Sequence, residues 1–304
     1  MHPMLRPLSA LRPLRDPVLL CAFAGRGGGS AAAAVQYLVD QWDATGIAEI
    51  DEEESFDFTV RRPIVRIEHG ERVLHWPVNK CYVVSPAGLN RDFILLPGIE
   101  PHLRWRAFCE ALVECVTALG CRTAVILGSR TGALPHTRPV PLRLTTADPA
   151  FGRAFAVEPT FTTREGPTGL VTVLSVAFER AGINAASLSA MTPFYVTAEP
   201  NPHAVIALIE AVDRAYGAAT SLDLLQDALA KVDAGAEEAA AQSAELRAAI
   251  ASLEQQYDWA RGNRTAPKPG ADSTAAELPS GSEAVAQLEQ FLREQRDPPA
   301  APGR

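Results

Sequence analysis

Short apolar runs alternate with segments of helical spacing across residues 17–217, and this alternation restricts the fold more than any other feature of the chain. The runs Pro17–Ala24, Asp92–Leu96 and Thr123–Leu127 are almost entirely apolar, which is typical of strands buried on both faces. Between two of them lies Arg104–Leu119, whose large apolar residues recur at intervals of three and four and predict an amphipathic helix. Buried strands separated by helices need a helical layer on each face of the sheet. We therefore predict an α/β fold: a three-layer α/β/α domain with a mostly parallel or mixed sheet.

Composition changes along the chain and predicts five parts. Residues 1–16 are interrupted by prolines and are expected to be a flexible N-terminus. Residues 17–219 form the α/β core, with a β-hairpin at about 63–78. Residues 220–261 predict two helices, each with one apolar face, joined around Asp233–Gly235. Residues 262–282, rich in Pro, Gly, Ser, Thr and Ala, predict a disordered linker, and residues 283–304 a short helix and tail.

Charge and cysteine usage exclude several classes of protein. The chain has 28 basic and 36 acidic side chains, and no basic stripe that would neutralise phosphates, so we expect no nucleic-acid partner. The longest mostly apolar run, Gly169–Phe178, has about half of the ~20 residues that a membrane span needs, so we expect no membrane partner. Five cysteines without a CxxC pair predict free, buried thiols and a cytoplasmic protein. The six histidines lack metal-ligand spacing, and we expect neither a metal nor a cofactor.

A glycine-rich turn, Gly25–Ser30, follows the first apolar run and precedes a predicted helix. Gly25 and Gly27 fit the first two positions of the dinucleotide fingerprint, but Ser30 stands where a third Gly or Ala is wanted. Free N–H groups at the start of such a helix can hold an anion, with Ser30 as the expected N-cap. A tight strand-to-helix turn with no ligand has the same pattern, so both interpretations stay open.

A second segment, Leu134–Val140, places polar side chains on a stiff loop after a strand. Pro135 and Pro139 fix the backbone around His136, Thr137 and Arg138. In open α/β sheets, ligands bind at the edge formed by the carboxyl ends of the strands, and a loop that follows a strand lies at this edge. Alternatively, the loop is tied to backbone carbonyls or to the region of Glu100. The candidate ligand-binding residues are Gly25, Gly27, Glu100, Arg130, His136, Thr137 and Arg138.

No catalytic residue is predicted. Gly128–Gly132 reads GSRTG, in which the serine lies one place earlier than a nucleophile elbow needs.

Five sequence blocks follow one another in the order of a known family. They are Leu95–Pro101 (LLPGIEP), Pro135–Pro139 (PHTRP), Gly166–Leu170 (GPTGL), Pro193–Val196 (PFYV) and Asn201–Ala204 (NPHA). Over roughly residues 17–217 the chain resembles the proteasome assembly chaperone family, in the branch named for the second such chaperone and in its actinobacterial form. The glycine-rich turn departs from the Gly-Trp, Asp-Ala pattern that members often carry there.

The resemblance implies a core like that of purine nucleoside phosphorylases, a hairpin used in self-association, and a C-terminal helical lid over a cleft. A two-stranded hairpin is marginal alone, so packing on a neighbouring subunit is expected to bury Val65, Ile67, Val73 and Trp76. We therefore predict a closed homo-oligomer, a homotrimer. The helices of Leu222–Tyr257 are expected to cover the cleft near Arg130 and His136.

Three functions are compatible with the sequence. The first is a non-catalytic interaction or assembly-chaperone-like protein that binds itself and protein partners. The alternative is a small-molecule binding protein or enzyme whose cleft takes a nucleoside or another anionic metabolite. The third is a scaffold recruited through the linker and the segment 283–293.

Overall fold

The computed structural model describes residues 2–25, 29–161 and 165–262, and these form one large sheet, a separate hairpin and eight helices. The strands are β1 (Leu5–Pro7), β2 (Val18–Ala24), β3 (Thr45–Ile50), β4 (Ile64–Glu68), β5 (Glu71–His75), β6 (Asn79–Val84), β7 (Phe93–Ile99), β8 (Thr123–Gly132), β9 (Leu142–Thr146), β10 (Pro159–Thr160) and β11 (Asn184–Pro193). The helices are α1 (Ser30–Gln41), α2 (Glu52–Ser55), α3 (Trp105–Ala118), α4 (Pro149–Phe155), α5 (Leu170–Arg180), α6 (Pro202–Tyr216), α7 (Asp223–Gln242) and α8 (Ala244–Gly262).

The large sheet is mixed, with a parallel centre. Its order is β1-β3-β6-β7-β2-β8-β11-β9-β10, and β7, β2, β8 and β11 run parallel to one another. The flanking strands β6 and β9 are antiparallel to this centre. The carboxyl ends of the four central strands therefore lie along one edge of the sheet, which we call the carboxyl edge.

Both faces of the sheet are covered by helices. Side chains alternate across β2, so Leu19 and Cys21 join the cluster under α3 and α5, while Leu20 and Ala22 join the cluster under α1, α4 and α6. Phe108 and Phe178 fill the first cluster, and both are fully buried. The three-layer α/β/α fold predicted from the sequence is confirmed.

All five cysteines are buried and free, and they lie in the cluster under α3 and α5. Burial raises the pKa of the Cys109 thiol to about 12 and the pKa of Cys21 further still. These two side chains therefore stay protonated at neutral pH and pack as small apolar groups. Within the described ranges, no helix combines the length and the apolar character of a bilayer span.

Some local predictions were wrong. The N-terminal segment expected to be flexible contributes β1, whose Leu5 pairs with Ile50 of β3 and is buried. The break between the last two helices lies at Ser243 rather than around Asp233–Gly235, because Ser243 adopts an extended backbone and its Oγ accepts a hydrogen bond from the Leu246 N–H at 3.1 Å.

Candidate functional site at the carboxyl edge

Gly25 and Glu100, which follow β2 and β7, are direct neighbours at the carboxyl edge. The Glu100 N–H donates to the Ala24 carbonyl oxygen at 2.9 Å, which extends the pairing of these two strands. A Cβ placed at Gly25 would lie 2.5 Å from Glu100 Oε2 and 3.1 Å from Glu100 Cβ. A side chain at position 25 would therefore require Glu100 to move, whatever the turn binds.

The amino end of α1 holds a carboxylate from the same chain. Glu199 Oε2 accepts hydrogen bonds from the Gly29 N–H at 2.8 Å and from Ser30 Oγ at 3.3 Å. Gly29, not Ser30, is the N-cap, and the Ser30 hydroxyl instead accepts from the Asn201 N–H at 2.9 Å. The sequence left open whether an anion binds at this turn, and in the structure the Glu199 carboxylate lies there. Gly27 lies outside the described residues.

The proline-flanked loop between β8 and β9 is hydrogen-bonded to Tyr195, which follows β11. The Tyr195 hydroxyl lies 2.8 Å from both the backbone nitrogen and Nδ1 of His136, and it accepts the backbone N–H. Burial raises the pKa of Tyr195, so the phenol is neutral at physiological pH. His136 is therefore oriented by a neutral partner on the neighbouring strand's loop.

Helix α8 lies on this loop through charged contacts. Arg138 Nε and Nη2 donate to the two carboxylate oxygens of Asp258 at 2.9 and 2.8 Å, which is a bidentate pair. Arg138 Nη1 also lies 3.4 Å from Glu254 Oε1, which accepts a hydrogen bond from the Thr137 hydroxyl. Tyr257 donates its hydroxyl to the Pro139 carbonyl oxygen at 2.9 Å. The pairing lowers the pKa of Asp258 and raises the pKa of Arg138.

A second contact, between an imidazole and a carboxylate, ties α7 to α6. His203 Nε2 lies 2.6 Å from Asp233 Oδ1. Arg138 pairs with Glu254 and Asp258, and His203 contacts Asp233; we call these two groups of contacts the latch. Helices α7 and α8 bury only three apolar side chains between them: Ala236, Ile250 and Leu253. The helices expected to form a lid thus rest on the carboxyl edge largely through polar contacts.

A small cavity of about 10 Å³ lies behind the loop. Asn201 lines this cavity and is only 1% exposed. Its side-chain Oδ1 caps α6 by accepting hydrogen bonds from the N–H groups of His203 and Ala204. The Asn201 Nδ2 is buried and has no hydrogen-bond partner among the described residues. The apolar wall residues are Leu134, Pro135, Val140, Pro141, Met191, Pro193 and Val196, and the polar ones are His136, Arg138, Asn201 and His203.

An open groove of about 320 Å³ lies on the other side of His136, between the loop and the last two helices. Its lining includes Thr137 from the loop, Glu237 from α7 and Arg247 from α8. His136 lines both spaces, so the groove and the small cavity adjoin at this residue.

The structure does not bring all the candidate ligand-binding residues together. His136, Thr137 and Arg138 lie under α8, Gly25 lies beside Glu100, and Arg130 belongs to neither group. Arg130 is exposed, and by strand alternation along β8 its side chain lies on the α3 and α5 face of the sheet. Among the described residues, no three His, Cys, Asp or Glu side chains are placed to hold a metal ion.

The sequence interpretation did not include Asn201, Tyr195 or the lid carboxylates in the site. The one local feature that points to Asn201 is its place before Pro202, which is typical of a helix N-cap. Glu254 and Asp258 are four residues apart, so they share one face of α8, but nothing local shows what that face contacts.

The hairpin β4–β5 is a separate two-stranded sheet whose two faces differ. The register pairs Val65 with Leu74 and Arg66 with Val73. Val65, Ile67 and Leu74 therefore share one face, and Trp76 continues it, with its ring 4.9 Å from that of Phe58. Val73 lies on the opposite face with Arg66, so the predicted grouping of Val73 with Val65 and Ile67 does not hold and Leu74 takes its place.

The sequence profile of the PAC2 family matches residues 26–240. The chain belongs to the PAC2 family. The crystal structure of a PAC2 family protein from Streptomyces avermitilis is 38% identical, with a TM-score of 0.67, over 73% of this chain and 95% of that one. A Mycobacterium tuberculosis proteasome-assembly chaperone homologue is 36% identical, with a TM-score of 0.67, over 77% of this chain and 99% of that one. The archaeal proteasome activator PbaB of Pyrococcus furiosus shares the fold at 16% identity, with a TM-score of 0.59 over 77% of this chain and 97% of that one. No curated protein matches the chain.

In this PAC2-family chain, the sequence blocks behind the resemblance build the carboxyl edge. Leu95–Pro101 spans the end of β7 and Glu100, Pro135–Pro139 is the loop under α8, and Asn201–Ala204 is the start of α6. The blocks are far apart in sequence but meet at one edge, because β7, β8 and β11 are parallel and near one another in the sheet.

Proposed function

We propose that this PAC2-family chain is a non-catalytic, assembly-chaperone-like protein that forms a homotrimer and binds a protein partner. The observation that carries the proposal is the apolar face of the hairpin, formed by Val65, Ile67, Leu74 and Trp76. All four side chains are exposed in the single chain, and Ile67 is 68% exposed. Apolar side chains gathered on one exposed surface are typical of protein–protein interfaces.

A second copy of the chain is the proposed occupant of this face. The hairpin is hydrogen-bonded only within itself among the described strands, and a two-stranded unit is marginal in water without packing. Closed symmetry lets each subunit give its hairpin to a neighbour and receive one, so that no apolar face remains uncovered. The likeness to a proteasome-assembly chaperone homologue supports a proteasome subunit as the class of further partner. The free, buried cysteines are consistent with the reducing cytoplasm, where we place the protein.

Charge substitution on the hairpin tests self-association. Ile67→Glu places a carboxylate in the proposed interface. Leu224→Glu is the control: it introduces the same charge on α7, outside the hairpin, at a residue that is 74% exposed. Sedimentation velocity is expected to show a trimer for wild type and for Leu224→Glu, and a monomer for Ile67→Glu. A trimer that persists in Ile67→Glu would reject the hairpin as the interface. Co-expression with proteasome α subunits tests the partner: the proposal expects co-purification, and its loss in Ile67→Glu would show that the trimer is the binding form.

A further inference from the structure

The strongest unexplained feature of the carboxyl edge is the Asn201 amide. Its Oδ1 has the defined task of capping α6, and this fixes the direction of the side chain. Its two N–H groups are buried in the cavity wall without a partner. A buried donor without an acceptor is destabilising, so such groups normally have an acceptor, from water or from a ligand.

The cavity has the composition of a small-ligand site. Its walls are mostly apolar, and the few polar groups converge from three elements: His136 and Arg138 on the loop, Asn201 before α6, and His203 in its first turn. The amino end of α6 also points its partial positive charge at this space. Every one of these groups favours an electronegative oxygen. A volume of about 10 Å³ admits one such atom.

The Arg138 guanidinium and the His203 imidazole, which both line the cavity, are the two groups that the latch occupies. Arg138 pairs with Glu254 and Asp258, and His203 pairs with Asp233. The lid thus presents three carboxylates to the side chains that line the cavity. The groove outside His136 is large enough for the rest of a small molecule or the last residues of a peptide.

We propose that the cavity and the groove together form a carboxylate-binding site, and that the lid carboxylates occupy Arg138 and His203 until a ligand competes for them. One carboxylate oxygen accepts hydrogen bonds from Asn201 Nδ2 in the cavity, and Arg138, released from α8, pairs with the other. The aliphatic part of the ligand lies in the groove, against Ala240, Ala241 and Ile250. This site goes beyond the assembly-chaperone role, since neither the hairpin nor the trimer is needed for it.

Free organic acids and the C-terminus of a peptide share this chemistry, and three probes separate them. The first is butyrate, the second is the peptide N-acetyl-Ala-Ala-Val with a free carboxylate, and the third is the same peptide amidated at its C-terminus. Titration calorimetry on the full chain is expected to show binding of butyrate and of the free peptide and none of the amidated peptide. Tighter binding of the peptide assigns the site to a C-terminus, and tighter binding of butyrate assigns it to a small acid. Equal binding of the amidated peptide would overturn the proposal.

Substitutions test which residues bind the carboxylate and which compete with it. Asn201→Asp keeps the oxygen that caps α6 but faces the ligand with a second carboxylate, and it is expected to abolish binding. Asn201→Ser keeps a capping oxygen and removes the amide donors, and it is expected to weaken binding without unfolding the chain. The latch double variant Glu254→Gln/Asp258→Asn is expected to bind roughly five- to tenfold more tightly, because two partly exposed ion pairs no longer compete. Asp227→Asn, at an exposed residue of α7, is the control and should bind like wild type.

Two results would overturn the proposal. One is unchanged binding in Asn201→Asp with its unfolding midpoint and oligomeric mass preserved. The other is a crystal structure of the full chain in butyrate in which the cavity holds a single water only. Failure here leaves the sedimentation result on Ile67→Glu untouched, so the two proposals are tested separately.

Discussion

The carboxylate of Glu199 accepts a hydrogen bond from the Gly29 N–H at 2.8 Å, and so closes the amino end of α1 from 170 positions along the chain. This contact gives the glycine-rich turn an intramolecular anion. The turn therefore connects the segment after β11 to the segment after β2, two parallel strands separated only by β8.

Glu199→Gln is expected to lower the free energy of unfolding by about 0.5–1 kcal/mol, because the helix end loses a negative charge while the side chain keeps an acceptor oxygen. Denaturant unfolding measures the change. Glu210→Gln, at an exposed residue in the middle of α6, should have little effect. Equal losses in the two variants would show that the Glu199 contact does not stabilise α1.

Gly25→Ala is expected to destabilise the fold by about 1–3 kcal/mol, because its Cβ would meet Glu100 at both Oε2 and Cβ. Glu100→Ala in the same chain should recover part of the loss, since the carboxylate can no longer clash. Gly235→Ala is the matched control: it has open space around it inside α7, and replacing a helical glycine should raise stability by up to about 1 kcal/mol. A Gly25→Ala variant as stable as wild type would contradict the close approach of the two strands' ends.

Acidification is expected to release α8 from the loop. Arg138 lowers the pKa of Asp258, so the stabilising pair is fully present above the ordinary carboxyl pKa of about 3.9 and is lost as the pH falls through the lowered value in the folded state. The protection of the α8 amides against hydrogen exchange, taken relative to the intrinsic exchange rate at each pH, should therefore fall below about pH 4 in wild type. Asp258→Asn should exchange faster at neutral pH and change less on acidification, whereas Asp227→Asn should follow wild type. A pH dependence that is identical in wild type and Asp258→Asn would exclude Asp258 as its source.

The five thiols are expected to be unreactive in the native protein. Burial raises the pKa of Cys109 to about 12, whereas the hydrogen bond with Cys81 lowers the pKa of Cys115. All five side chains are buried, so the reagent cannot reach them in the folded protein. Mass spectrometry after iodoacetamide treatment should show no alkylation without denaturant and five modified cysteines with it. Rapid native alkylation of Cys21 or Cys81 would mean that the sheet opens beneath α3.

The central strands could be predicted from the sequence because burial on both faces makes them continuous apolar runs. Asn184–Ala190 could not, since small and polar residues alternate there and only pairing with β8 and β9 fixes the strand. Strand pairing also decides which side chains of the hairpin share a face, and the sequence pattern does not give that pairing. Its position follows from the turn at His69-Gly70, but the grouping of Leu74 with Val65 depends on a register that the pattern alone does not give.

The loop around His136 was recognised from its prolines, but its partners were not. Arg138 meets Asp258 across 120 positions of sequence, and no local pattern encodes which exposed acid it meets. Asn201 is recognisable as a helix cap, whereas its unpaired amide depends on packing behind the loop. The likeness of the core to purine nucleoside phosphorylases stays a prediction.

The mass of the full chain in solution tests the central claim most directly. Light scattering at micromolar concentration should give three times the 32.5 kDa of one chain, as expected if the hairpin's apolar face is covered by neighbouring copies. A mass of one chain under these conditions would contradict the account, because the face of Val65, Ile67, Leu74 and Trp76 would then remain open to water.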